Sequence, residues 1–555
     1  MIETRTHIDT ERTMKPAGWL ALVSMLIATL LALGRAPLSL VATMLGIGAL
    51  LAWTSRSWFN VLCYLSTLAV QVVQPLVLFR VAISDPFILP AAVKTTGRVW
   101  RGDEQRVRSS LERPFALLLA AFAIGNVVAF VEQRRFTGYA VVNKDLGILF
   151  LLVGFFTLLW HLSDRARIEQ ALTWFIGGVS LANLGCLVGA LVALVRGPNL
   201  LYDSSINRMF GWMQNPSLTG GILMTAGLVE LSLLSVASGS PGRTRVRWLN
   251  VWLLAIGIGL TLSRSTWFAV GVGAAVLLLL HEFVAERPRR RYLLAASVWL
   301  VVPAMAIGNI ARLNLSAGVA ARMPTAEQHA AQLQARLVSQ CETSPSLEVC
   351  ASVQKPAASR DGESNATTPE TTSRAPVPPP AAIPGRPAVP AAAQPGPPVP
   401  EGALENARGL SDRIAIASIA LREYRKSLRR IMLGIGVGTF FATSAAVFGV
   451  PLIVHNTFIW FLVEMGPLGL IAVVWIWATT CRNLWQVCRE RHWSGPAGIG
   501  VAAAFAALTV FCIMNEGFYQ RHLWFIFALG DRLRTIAIAD ATGARPVILP
   551  NPEPV

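Results

Sequence analysis

Charge is scarce in this chain. Asp, Glu, Lys and Arg make up 14% of its 555 residues against 54% hydrophobic ones, and the mean hydropathy is +0.52. That scarcity excludes a soluble protein of several domains, which would carry about 25% charged residues. The chain reads instead as a polytopic membrane protein. Acids are scarcer still, 31 against 48 bases, which leaves a net charge of +17. Such an excess points to nucleic acid only where the bases gather in a compact domain with aromatic side chains among them. No such domain exists here, basic loops between spans account for the excess, and no nucleic-acid partner is expected. Cysteine is sparse as well: of seven, Cys63, Cys186, Cys481, Cys488 and Cys512 lie within or beside apolar segments, where a thiol behaves as a small hydrophobe. A cleavable leader is not expected, because residues 1–16 mix both charge signs and the first apolar run is as long as a span.

Apolar sequence is what the chain has in quantity. A helix needs about 20 apolar residues to cross about 30 Å of hydrocarbon. Runs of this kind occupy 17–34, 37–54, 57–79, 114–131, 145–162, 171–195, 217–236, 247–262, 266–283, 292–310, 453–479 and 497–514, with a shorter one at 518–530. The expected fold is therefore all-α, a polytopic integral membrane protein with about 12 transmembrane helices. Short connections rich in Lys and Arg stay in the cytoplasm. Arg243, Arg245 and Arg247 form one, Arg287, Arg289, Arg290 and Arg291 a second, and Arg482, Arg489 and Arg491 a third. Alternation then puts residues 196–216, the tight Ser263–Arg264 turn, the long segment 311–452 and the start of the following span on the extracytoplasmic side. Counted back, the connection 80–113 is cytoplasmic and the N-terminus falls outside, a placement that its nearly balanced charges neither favour nor oppose.

The chain thus divides into an N-terminal bundle at 1–310, one large extracytoplasmic loop at 311–452, C-terminal helices at 453–538 and a tail at 539–555. Within the loop, 355–400 is Pro, Ala, Ser and Gly with almost no large apolar residue, and cannot bury enough surface to fold. Cys341 and Cys350 lie in this loop, where oxidation is permitted, and are expected to form a disulfide. From 411 to about 431 the pattern is helical: Ile414, Leu421 and Leu428 recur every seven residues, Ala417, Tyr424 and Ile431 fill the same face, and Ser411 is placed as N-cap. Arg422, Arg425, Lys426, Arg429 and Arg430 form the opposite face, suited to membrane lipid headgroups or a pyrophosphate. Gly434, Gly436 and Gly438 lack the Lys-Ser/Thr of a P-loop and read as a tight turn.

The next span opens with three polar residues, His455, Asn456 and Thr457, and carries Glu464 deeper. Nine positions separate His455 from Glu464, close to half a rotation and about 13 Å of rise, so the two face apart. An ionisable group inside a span is a functional candidate by default. Arg264 is another, since its turn is too short for a solvated loop and lies on the side where positive charge is disfavoured.

The run HNTFIWFLVEMGPLGL (455–470) follows SDRIAIASIALREY (411–424) and GIGVGTF (434–440), with RMFGWMQNPSLTGG (208–221) and TLSRSTWFAVG (261–271) upstream. In that order, and after a large external loop, these stretches resemble the O-antigen ligase and polymerase superfamily over roughly 205–533. The Ala/Pro-rich insertion departs from the family pattern without touching the motif residues. The resemblance implies a GT-C-like fold and a metal-independent inverting glycosyltransferase with no cofactor. Its donor would be an undecaprenyl-pyrophosphate-linked glycan and its acceptor lipid A core or another glycan, in the bacterial inner membrane with the active site facing the periplasm. It also implies that His455 is the general base and that Arg208, Arg264 and Arg413 bind the donor pyrophosphate; beside them, Asn456 and Glu464 are candidates for a supporting role from their place in the span. Glu516, in the NEGFYQRH turn on the same face, is placed to orient the imidazole or pair with an Arg. The chemistry is compatible: an imidazole accepts a hydroxyl proton near neutral pH, and Arg matches phosphate oxygens bidentately. Ligase, polymerase and protein O-glycosyltransferase share this donor chemistry and are not separable here. A secondary transporter is the alternative from another class, but many transporters are two repeated halves. Here the long loop follows ten runs and precedes two or three, and the halves show no similarity.

Overall fold

In hydrocarbon no water bonds the backbone, so an apolar run is stable only as a helix that satisfies its own N–H and C=O groups. The computed structural model describes residues 52–70, 84–102, 107–133, 144–196, 199, 201–203, 208–213, 215–236, 241–284, 301, 305, 410–448, 452–489 and 494–542. All of them belong to one unit, Met1–Leu315 with Gly409–Val555. The run 17–34, nearly all of 37–54 and 292–310, the Cys341–Cys350 pair and the insertion 355–400 lie outside the described residues.

In chain order the helices are α1 (Ser57–Ser66), α2 (Asp85–Trp100), α3 (Glu112–Gln133), α4 (Leu146–His161), α5 (Arg165–Arg196), α6 (Pro216–Val236), α7 (Pro241–Leu260) and α8 (Arg264–Val284). After the long loop come α9 (Leu410–Tyr424), α10 (Leu428–Leu433), α11 (Thr439–Phe448), α12 (Thr457–Cys488), α13 (Ser494–Met514) and α14 (Arg521–Thr542). A two-residue ribbon, β1 (Tyr202–Asp203) and β2 (Arg208–Met209), pairs antiparallel between α5 and α6. Among the described residues six helices are long and apolar enough to cross a membrane: α3, α5, α6, α8, α12 and α13. The protein is a membrane-embedded helical bundle. The run 145–162 forms the shorter α4, 518–530 lies largely in α14, and 247–262 ends α7, whose first turns hold the arginines of the first basic connection.

Helix α13 packs along α6, α8, α12 and α14. Its sequence, SGPAGIGVAAAFAALTVFCIM, is rich in small residues, which let backbones approach where helix association rests on van der Waals contact rather than on escape from water. The facing Gly273 of α8 is equally constrained, since a Cβ there would stand 2.8 Å from that of Ala507.

Helix α12 breaks at Gly466, whose φ of 67° is non-helical, just before Pro467. Proline has no N–H, so Val463 loses its intrahelical donor, and the kink also frees Glu464 O. The GIGVG stretch repairs both. Ile435 N donates to Val463 O at 2.9 Å and Gly436 N to Glu464 O at 3.0 Å, while Val437 N reaches Gly125 O of α3 at 3.2 Å. Gly434, Gly436 and Gly438 have φ of 80°, 95° and 73°, and a Cβ on Gly436 would stand 2.5 Å from Ala129 N. The turn read from sequence is thus a strut between α3 and α12. Gly436→Ala should cost about 1–3 kcal/mol from overpacking and about 1–2 more for left-handed backbone. Gly97→Ala in α2, with open space around it, should be neutral or slightly stabilising. Thermal unfolding of the two purified variants checks the contrast, and equal melting would show that the strut can shift.

The expected single helix at about 411–431 is two. Ser427 takes an extended backbone and its Oγ accepts from Arg430 N, capping α10 afresh after a turn at Arg425 and Lys426. The predicted face is only partly buried: Tyr424 on it is buried, but Ile414 is 58% and Leu428 75% exposed, and Ile416 and Ala420, which lie off it, are buried. Ser411 falls inside α9 rather than at its cap.

Candidate active site

The polar start of α12 is locked to the turn after α13. Asn456 has an extended backbone, and its side chain accepts from Ile459 N at 2.9 Å, the N-cap that ends the preceding coil. Thr457 Oγ1 donates to Asn515 O at 3.2 Å and accepts from Gly517 N at 3.1 Å. Upstream, Ser444 of α11 accepts from Leu452 N at 2.7 Å. His455, half-buried, therefore sits on a short segment pinned three residues before it and one after. Arg413 of α9 reaches the same turn and donates from Nη1 to Met514 O at 2.6 Å.

A second group forms where α6 and α8 begin. Arg208, presented by the β ribbon, donates from Nε to Thr261 O at 3.1 Å. Leu262 then takes a φ of 50°, a conformation costing a residue with a side chain about 1–2 kcal/mol. Ser263, buried behind it, meets Ser217 Oγ at 3.1 Å and receives the Thr266 hydroxyl at 2.9 Å. Arg264 follows as the exposed first residue of α8. The two groups share one end of the bundle through α13. A Cβ on Gly220 would meet Thr266 and one on Gly221 would lie 3.4 Å from Phe511, and Asn515 donates to Phe511 O at 3.2 Å.

Glu516 pairs with a lysine, not with an arginine. Its carboxylate binds Lys144, both side chains at most 10% exposed, and the ammonium stands 4.4 Å from the Trp460 ring centre and 4.6 Å from that of Tyr519, within cation–π range. Lys144 is absent from the sequence-derived candidates. Its signal was a base at the start of the run 145–162, on the side that the alternation of basic loops assigns to the outside, where positive charge is disfavoured. Glu464 accepts from Trp460 Nε1 at 2.8 Å and from Gly438 N at 2.9 Å, so it ties the glycine strut to α12. Phe440, Phe441 and the coil 452–454 close over Lys144, Trp460 and Glu464 around a cavity of about 10 Å³, room for one water. Among the described residues no three His, Cys, Asp or Glu side chains gather to hold a metal ion.

The arrangement offers an imidazole on a rigid coil, several guanidiniums at the same end of the bundle, and a neutralised charge pair behind them. In comparisons with known proteins no family model matches this sequence, and no curated protein matches it.

Proposed function

We propose that the protein is an O-antigen ligase-like glycosyltransferase of GT-C type. It moves a glycan from undecaprenyl pyrophosphate to a hydroxyl of lipid A core, on the periplasmic side of the bacterial inner membrane, in the synthesis of cell-surface polysaccharide. The observation that supports this reading is the gathering, at one end of the bundle, of the coil bearing His455, the turn bearing Glu516, and Arg413, with the Arg208–Arg264 group linked to them through the packing of α6 on α13. His455 takes the acceptor proton as the oxygen attacks the anomeric carbon. Arg208, Arg264 and Arg413 hold the pyrophosphate and stabilise the negative charge that grows on it as it leaves.

Transfer from purified carrier-linked glycan in proteoliposomes, with chelator present, tests the reading. Arg264→Lys and Arg413→Lys should each lower transfer by about 10-fold or more, because a point charge cannot reproduce the planar fork. Arg425→Ala, exposed on the α9–α10 elbow, should stay within about 2-fold, since a solvated charge is screened and replaceable. Full activity in Arg264→Lys would return that residue to a purely interfacial role. Deleting the gene identifies the acceptor. Lipopolysaccharide that loses its whole polymer marks a ligase, one that keeps a single repeat marks a polymerase, and unchanged lipopolysaccharide with a sugarless glycoprotein marks a protein glycosyltransferase.

A further inference from the structure

Helix α11 has two unlike faces. Phe440 and Phe441 cover the Lys144–Glu464 region. Thr439, Ala442 and Thr443, three and four positions apart and hence on one side of the helix, instead line an open groove with Glu132 and Gln133 from the last turn of α3. The groove holds about 530 Å³, within the range of small-molecule sites.

Its chemistry contrasts with its surroundings. The α3 surface just below is apolar and exposed at Val127, Phe130 and Val131, as suits lipid. At the groove this gives way to a carboxamide, a carboxylate and two hydroxyls, of which that of Thr443 donates to Thr439 O at 3.1 Å and keeps its lone pairs as acceptors. The Gln133 amide donates to Thr439 Oγ1 at 2.9 Å, which fixes both side chains and leaves an amide oxygen and a hydroxyl proton to address a ligand. Glu132 is already committed, bound by both Arg429 and Arg430, and Arg430 also reaches Glu423. Lys426 pairs with Glu423 as well, so along this rim three bases, Lys426, Arg429 and Arg430, meet two acids, Glu132 and Glu423.

Paired donors and acceptors beside a basic rim match the hydroxyls of a sugar that also carries a negative charge. We propose that this groove seats the acceptor glycan, through a sugar residue bearing a carboxylate or a phosphate. The inference rests on the transferase reading above and adds to it the place and charge of the second substrate. Ser444, on the same short helix, holds the coil three residues before His455, so a sugar docked on α11 and the candidate base share one support.

Saturation-transfer NMR on the full-length protein in nanodiscs tests the groove without transfer, using 3′-sialyllactose, glucose 6-phosphate and neutral maltotriose as probes. The two anionic probes should bind more tightly than maltotriose and weaken with added salt. Ala442→Trp, at an exposed position that leaves the interior untouched, should weaken them by about 10-fold or more, and Thr443→Val by about 5-fold, the loss of one hydrogen bond. In the proteoliposome assay Ala442→Trp should raise the acceptor KM to the same degree while donor binding holds. Absence of binding by all three probes, or equal binding to wild type and Ala442→Trp, would overturn the proposal. Transfer with an unmoved acceptor KM would overturn the groove and leave the transferase standing. Binding lost in Ala442→Trp, by a wild type that transfers to no glycan, would keep the groove and sink the transferase.

Discussion

His455→Ala is expected to leave the protein folded and its carrier-linked donor bound, yet to lower turnover by about 10²–10⁴-fold, the range that general-base catalysis supplies. The reason folding should survive is local. Asn456 caps α12 and Thr457 ties it to the 515–517 turn, while Ser444 holds Leu452, so side chains on both sides of position 455 fix the coil. A histidine serving only to pack would give the opposite pattern, with less protein recovered but normal turnover per folded molecule. Proteoliposome transfer rates normalised to folded protein separate the two, and full activity in His455→Ala would end the assignment.

Lys144→Met should destabilise the protein by about 3–5 kcal/mol, because it strands the buried Glu516 carboxylate without its countercharge. Glu516→Gln in the same chain should recover most of that loss, since a neutral pair of similar volume replaces a charged one at little net cost. Detergent-solubilised unfolding of the single and double variants forms a cycle. Additive losses would mean that the pair is not coupled. The pair also bears on the site, since Asn515 and Gly517, on either side of Glu516, hold Thr457, so a loosened Glu516 should slacken the coil bearing His455.

Different physical signals explain what was legible beforehand. The helical membrane class follows from apolar run length alone. His455, Asn456 and Thr457 stand out because a span that opens on polar groups needs a reason, and the cap and the tie to Asn515 provide it. The α9 stripe misled because hydrophobic periodicity reports burial only where water penalises exposure. Beside a membrane, Ile414 and Leu428 can face outward while Ile416 and Ala420 pack inward. The glycine strut was readable as a turn but not as the repair of α12, since nothing near Gly436 reveals that Pro467 has left a carbonyl unserved. Lys144 was missed because its partner lies 372 positions away, and no local pattern encodes such a meeting.

That separation has a consequence for how the protein comes to exist in a cell. The groove joins Gln133 to Thr439 across 306 positions, the basic rim joins Glu132 to Arg429 across 297, and Lys144 meets Glu516 only once the turn after α13 has been made. Long-range closures of this kind come late in assembly. A ribosome that stalls anywhere before the NEGFYQRH turn therefore releases a protein whose early helices can insert and persist, but whose working end does not exist.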